Sequence, residues 1–329
     1  MLSKKTMKRI ALVLSIVLTF ALVVFAQDSK SKKEEVLLHF VHVSDTHLQR
    51  SIARDSHRLH KSSELLLEKT VSQINNLKGI DFVLHTGDIV DQPTGELVDK
   101  FIEVTMSLKY PMHVLFGNHD VGVNAEVSKK EFIKKFNSLK GATSFTNGMT
   151  YYSFSPNKDF TFICLDGATD KEVTSNGQID NEQLKWLEKE LEKNKDKFVI
   201  IALHYPLVEP FKSESHKFIE PDGTKLLNLI NKYKNIIGVF TGHYHAARLF
   251  KVKNKIHNSC PAIIQYPVAF REVIIKKDAE RENLLVDFKW HPIDAPELIE
   301  ISKQHSGKSW KLTEGTEEDR EQTIKLKIY

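Results

Sequence analysis

Five short segments of this chain place metal-ligand residue types among turn residues, each directly after an apolar run. They are Asp45-Thr46-His47, Gly87-Asp88-Ile89-Val90-Asp91, Gly117-Asn118-His119-Asp120, His204-Tyr205-Pro206 and Gly242-His243-Tyr244-His245. Carboxylate, amide and imidazole without thiolate suit Mn, Fe or Zn rather than an iron–sulfur centre. Seven candidate ligands, Asp45, His47, Asp88, Asn118, His204, His243 and His245, exceed one tetrahedral site and fit two metals if one carboxylate bridges. Charge agrees. Two divalent ions bring +4, Asp45 and Asp88 supply −2, and a hydroxide with a phosphoryl group brings the total near zero, the design of a two-metal site for in-line displacement at phosphorus. Taken singly, Asp88 or Asn118 reads as turn chemistry. Jointly, one rim carrying this set has no economical structural explanation.

In their order along the chain, DTH, GDIVD, GNHD, the His before Tyr-Pro, and GHYH resemble the calcineurin-like metallophosphoesterase family, over roughly Val36–Trp290. The resemblance implies an α/β, four-layer sandwich of two mixed β-sheets flanked by helices, with a dinuclear centre. By the family's pattern Asp45, His47, Asp88 and His245 hold the first metal, Asp88 bridges, and Asn118, His204 and His243 complete the second. His119 would contact the phosphate and stabilise or protonate the leaving oxygen, with a metal-activated hydroxide as nucleophile. Asp120 would either orient His119 or serve only its turn. Two departures narrow the choice. Purple acid phosphatases carry a tyrosine ligand three residues after the bridging aspartate, where this chain has Asp91. Many bacterial relatives carry a second His after the metal-ligand His, where this chain has Tyr205. Asp91 and Thr46 read as supporting residues.

The elements that must position these segments alternate. Val36–Ser44, Asp81–Thr86, Met112–Phe116, Phe160–Leu165, Phe198–Leu203 and Ile236–Thr241 are apolar enough for strands. Between them, Leu59, Leu66, Val71, Ile74 and Leu77, then Leu97, Phe101, Val104 and Leu108, fall at helical spacings. Ser128 with Glu131 makes a capping box, and Asp180 with Gln183 opens another helix. From Arg248 the pattern turns mostly to strand, while residues 291–322 are polar with weak periodicity and receive no assignment. Ligands bind beyond the carboxyl ends of strands in open α/β sheets, so all five segments can meet on one rim. If strand geometry persists through the pairs Asp45/His47 and His243/His245, each pair faces one side. His39, His42, His85 and His113 lie inside strands and read as core residues. The long connections Gly122–Thr150 and Val208–Asp222 are candidates for the substrate pocket, with Lys212, His216 and Lys217 in reach of a phosphate or simply solvated.

The chain has 329 residues, 41% hydrophobic and 27% charged, which describes a globular protein. Residues 1–26 carry Lys4, Lys5, Lys8 and Arg9, an apolar run Ile10–Phe25 and small residues at Val24-Phe25-Ala26, the pattern of a signal peptide cleaved after Ala26. The expectation is export to the periplasm or beyond, with an N-terminal membrane anchor as the alternative. Residues 27–35 read as a polar linker, 36–292 as the catalytic domain, and 293–329 as a C-terminal extension ending in a strand. The formal charge of +4 belongs to the leader, and the remainder is neutral, which argues against nucleic acid as partner. Cys164 and Cys260 can be bridged or free. The reading is an exported dinuclear-metal hydrolase of small-molecule phosphodiesters or phosphomonoesters, set against a nuclease and a non-catalytic metal- or ligand-binding protein on the same scaffold. Oligomeric state is not legible.

Overall fold

The computed structural model describes residues 34–50, 52–123, 125–137, 144–145 and 148–328. The leader and residues 27–33 of the linker lie outside them. Among the described residues, twelve strands form two six-stranded sheets. The first sheet runs in the order β12 (Gln322–Lys327), β11 (Asn283–Pro292), β10 (Ala269–Lys277), β1 (Glu35–Val43), β2 (Phe82–His85), β3 (Met112–Val114). The second runs β4 (Tyr152–Phe154), β5 (Phe160–Cys164), β6 (Phe198–Ala202), β7 (Ile236–Thr241), β9 (Lys255–Ser259), β8 (Arg248–Val252). Within them β1, β2 and β3 are mutually parallel, as are β5, β6, β7 and β9. The remaining pairings are antiparallel, so both sheets are mixed.

Strand alternation sends one side chain in two into the space between the sheets, and there the sequence supplies phenylalanine. Phe40 of β1 and Phe82 of β2 stack at 5.1 Å and meet Phe162 of β5 at 5.3 and 5.0 Å. Phe40 also meets Phe240 of β7 at 5.5 Å. These rings are fully buried and hold the two sheets in register. Helices α1 (Ser63–Asn76), α2 (Gly95–Thr105) and α3 (Lys129–Asn137) flank the first sheet, and α4 (Asn181–Lys193) and α5 (Asp222–Lys232) the second. The Ser128–Glu131 box forms, with Ser128 N–H donating to the Glu131 carboxylate at 2.9 Å. Asp180 caps α4 by accepting from Gln183 N–H at 2.8 Å. Leu59, Leu77 and Leu108 fall outside α1 and α2, in the segments that flank them, Leu77 as the extended residue that ends α1.

Residues 291–322 contain α6 (Pro296–His305), α7 (Trp310–Thr313) and α8 (Glu317–Arg320) before β12 closes the sheet edge. No amphipathic stripe marks them because side-chain clasps hold them instead. Lys303 sits over the Trp310 ring at 4.4 Å, and the Tyr266 hydroxyl donates to Glu314 at 2.7 Å. The buried Arg271 donates to the Arg320 and Asp319 carbonyls at 3.1 and 2.6 Å. Cys164 and Cys260 are both buried free thiols. No helix among the described residues is long and apolar enough to cross a membrane.

Candidate metal centre

All five segments lie just past the carboxyl ends of parallel strands: β1, β2 and β3 in one sheet, β6 and β7 in the other. The loops are stitched together by backbone. Asp45 N–H donates to Gly87 O at 3.1 Å, His47 N–H to Asp88 O at 2.9 Å, and Asp91 N–H back to Leu48 O at 3.1 Å. In the second sheet Gly242 N–H donates to His204 O at 2.9 Å. The Asp45 carboxylate crosses between sheets to accept from His243 N–H at 3.0 Å, and Asp88 Oδ1 accepts from His119 N–H at 2.9 Å. Two glycines make this possible. A Cβ on Gly242 would lie 2.6 Å from Asp45 Oδ2, and one on Gly117 would fall inside the Asp88 carboxylate.

Strand geometry does not persist through the two pairs. Asp45, His47, Asp88, His243 and His245 all have positive φ, between 40° and 70°, so the members of each pair converge through two left-handed residues around one ordinary one. Such backbone costs a non-glycine residue roughly 1–2 kcal/mol. Five in one rim is strain that the surrounding loops must hold in place, a pattern that concentrates at functional sites.

The side chains gather into two groups that share Asp88: Asp45, His47, Asp88 and His245, and Asp88, His204 and His243. Asp88 Oδ2 lies 3.4 Å from His47 Nε2 and 3.2 Å from His204 Nε2. Asp45 Oδ1 lies 3.4 Å from His245 Nε2. Ring nitrogens also face one another, His47 Nε2 and His245 Nε2 at 3.1 Å, His243 Nδ1 and His204 Nε2 at 3.1 Å. Asn118 Oδ1 and His243 Nε2 are buried without a hydrogen-bond partner among the described residues. Donor atoms that converge on each other and leave others orphaned fit two cations with one bridging carboxylate.

Electrostatics agree. Burial works against ionising Asp88, yet the His204, His119 and His47 rings hold its carboxyl well below the usual range. Burial likewise opposes ionising Asp45, and His245 and His204 hold it down. Burial pushes His47 down to about 3 and His243 well below its ordinary value. Against burial, Asp88 and then Asp45 draw His204 up to about 9. The two sequestered carboxylates therefore attract positive charge into the site, and a divalent cation satisfies the same demand. Outer contacts orient the rings: His204 Nδ1 to Thr86 O at 2.7 Å, His245 Nδ1 to Gln265 Oε1 at 2.8 Å, His47 Nδ1 to Asp91 Oδ1 at 3.4 Å.

His119 sits at the mouth, its ring 4.5 Å from that of His47. Its ring partner is Asp91, whose carbonyl lies 3.0 Å and carboxylate 3.4 Å from Nδ1. Asp120 is engaged elsewhere. Its carboxylate accepts from Gly117 N–H at 2.8 Å and from Ile89 and Val90 N–H at 2.8 and 3.1 Å, tying the loop after β3 to the loop after β2. Of the two roles open to Asp120, the geometry is that of the turn residue. Burial and the Asp88 charge push its carboxyl up to about 7.

Behind the ligands, His85 Nε2 pairs with Thr46 Oγ1 at 2.7 Å, and His42 lies between Thr86 and Asn258 at 3.0 and 2.8 Å. Both are interior packing residues, as is His113, stacked 3.4 Å from the Phe154 ring centroid. The loop after β6 lays His216 against the candidate ligand His243, centroids 5.3 Å apart, whereas Lys217 pairs with Glu214 on the surface at 3.1 Å. A cavity of about 190 Å³, lined by Val121, Gly122, Ala125, Ser128, Lys129 and Asp170, adjoins the GNHD turn. Gln265, Arg58 and His60 reach the site and carry no mark in the sequence, because they come from a polar loop and from a turn far along the chain.

The family model for calcineurin-like phosphoesterases matches residues 38–247. The chain is 30% identical over 256 residues to "Probable glycerophosphodiester phosphodiesterase GpdQ" of Arcobacter nitrofigilis, covering 74% of this chain and 84% of that one. It is 25% identical over 227 residues to a protein of Fibrobacter succinogenes named as a probable cyclic nucleotide phosphodiesterase, covering 69% and 80%. Among solved structures, a dimetal phosphatase from Danio rerio superposes with a TM-score of 0.61 at 16% identity, over 79% of this chain and all of that one.

Proposed function

The chain belongs to the calcineurin-like phosphoesterase family, whose members are metal-dependent phosphoester hydrolases, and from that premise we propose that it is an exported phosphodiesterase of small molecules with a two-metal centre. The observation that carries this reading is the pair of ligand groups sharing Asp88. Asp45, His47, Asp88 and His245 would hold one ion; Asp88, Asn118, His204 and His243 the other. Bound ions supply Lewis acidity toward the phosphoryl group and an activated water at neutral pH. Mn, Fe or Zn suits the oxygen and nitrogen donors.

The chain's own residues do the rest. Asp91 O accepts from His119 Nδ1–H, which leaves Nε2 to pass a proton to the departing oxygen. Asp91 also faces His47, so one carboxylate aligns the proton donor and a metal ligand together. Asp120 fixes the relative position of the loops that carry Asp88 and Asn118. The diester preference draws on the names of the two relatives above, glycerophosphodiester and cyclic nucleotide phosphodiesterases. Export rests on the tripartite pattern of residues 1–26.

The test compares hydrolysis of bis-p-nitrophenyl phosphate and p-nitrophenyl phosphate by the purified protein with added Mn²⁺, with Asp88→Ala as control. Diester turnover that the variant loses supports the reading. Monoester preference makes it a phosphatase, and inactivity with two ions bound sinks the catalytic reading.

A further inference from the structure

The loop between β1 and α1 runs past the metal groups, and its residues alternate. Leu59 is fully buried, its N–H donating to Ile264 O at 2.7 Å. Arg58 and His60 on either side of it therefore share the opposite direction. His60 shows what lies there: its Nε2 is 3.3 Å from Asp91 Oδ1, the carboxylate that also faces His47 and His119. Arg58 is bridged antiparallel to Gln265, the residue that holds His245. Its backbone is thus pinned to the partner of one metal-site histidine, two residues before His60, which faces the partner of another.

Among the described residues, the Arg58 guanidinium has no counterpart for its charge. Nε is buried without a hydrogen-bond partner, and among the described residues no carboxylate pairs with it. Its positive charge is felt by His47 on one side of the site and by His216, which packs on His243, on the other. Two other cations placed near the rim are spoken for, Lys129 by Asp166 at 2.6 Å and Lys217 by Glu214. A half-buried arginine without a partner is a cost unless something anionic arrives to meet it. The carboxylates of the site are committed to the ligand groups, so that anion comes from outside.

Resting on the phosphoesterase reading, we infer that Arg58 is a substrate-binding residue that pairs with a non-bridging phosphoryl oxygen of the substrate at the mouth of the metal centre.

The test is calorimetric titration of the Mn²⁺-loaded protein with inorganic phosphate, alongside KM and kcat for bis-p-nitrophenyl phosphate. The variants are Arg58→Gln and Arg58→Lys, with metal content and melting temperature as controls. Losing a charge-assisted hydrogen bond predicts phosphate binding about 10–100-fold weaker and KM raised by a similar factor in Arg58→Gln. Metal content and kcat are retained within a few-fold, and Arg58→Lys recovers part of the affinity. Phosphate affinity unchanged in Arg58→Gln overturns the inference; should that variant not fold, wild-type affinity in Arg58→Lys does so, because a lysine cannot reproduce the guanidinium fork. Wild-type protein that binds phosphate in an Arg58-dependent way but cleaves no ester would remove the catalytic reading and leave the anion site standing.

Discussion

Two clusters in this molecule are built from the same ingredients, a buried carboxylate ringed by histidines, and they behave oppositely. Around Glu272, on β10, every acceptor has a donor. Oε1 takes His39 Nε2 at 2.8 Å and Lys289 Nζ at 2.9 Å, and Oε2 takes His291 Nε2 at 2.7 Å. Around Asp88 the ring nitrogens crowd one another, Asn118 Oδ1 and His243 Nε2 have no partner among the described residues, and five residues are held at positive φ. A satisfied cluster braces the sheet. An unsatisfied, strained one is shaped for something that is not protein. Residue composition does not separate the two; the accounting of donors and acceptors does.

The comparison breaks most visibly at Asp88. Asp88→Ala should lose both ions, measured by elemental analysis, and reduce diester turnover on the order of 10³-fold or more, because one carboxylate serves both groups. His119→Ala should keep both ions and lower kcat by ~10²–10⁴-fold, the usual contribution of a general acid. Gln265→Ala frees Nδ1 of His245 and should weaken metal binding by about 10–100-fold while sparing the catalytic acid. Equal loss of both ions in Gln265→Ala would show that the two groups are not separately supported.

The mildest prediction concerns the satisfied cluster. Hydrogen bonds from His291 and His39, outweighing burial, hold the Glu272 carboxyl well below the usual range. Its folded value is therefore depressed. The stability it contributes is present above the ordinary glutamate value, roughly 4.3, and is lost as pH falls below it. Glu272→Gln should leave turnover and metal content unchanged and flatten the acid side of the melting-temperature profile. A loss of activity at neutral pH would mean that the cluster communicates with the metal centre.

The metal rim was legible because its chemistry restricts residue type. Ligand residues must be Asp, Asn or His and must follow strands closely, and these constraints survive in one dimension as DTH, GNHD and GHYH. Strand Ile236–Thr241 was read to the residue, since the run Ile-Ile-Gly-Val-Phe-Thr carries no charge and meets the turn residue Gly242 directly. What the residues concealed was conformation: alternation suggested that Asp45/His47 and His243/His245 share a face as strands do, whereas left-handed turns bring them together. Arg271, Gln265 and Arg58 stayed hidden for another reason. Each acts through a partner distant in sequence, as when Arg271 meets the carbonyls of Asp319 and Arg320, and no local pattern records such a pairing. Residues 291–322 escaped assignment because ring clasps and backbone acceptors, rather than an apolar stripe, secure their short helices.

The central claim is that Asp88 joins two metal sites into one. Electron paramagnetic resonance of the protein loaded with two equivalents of Mn²⁺ tests it directly. The bridging arrangement predicts an exchange-coupled multiline spectrum that disappears in Asp88→Ala. Isolated six-line Mn²⁺ signals in the wild type, with two ions bound and full diester turnover, would contradict it.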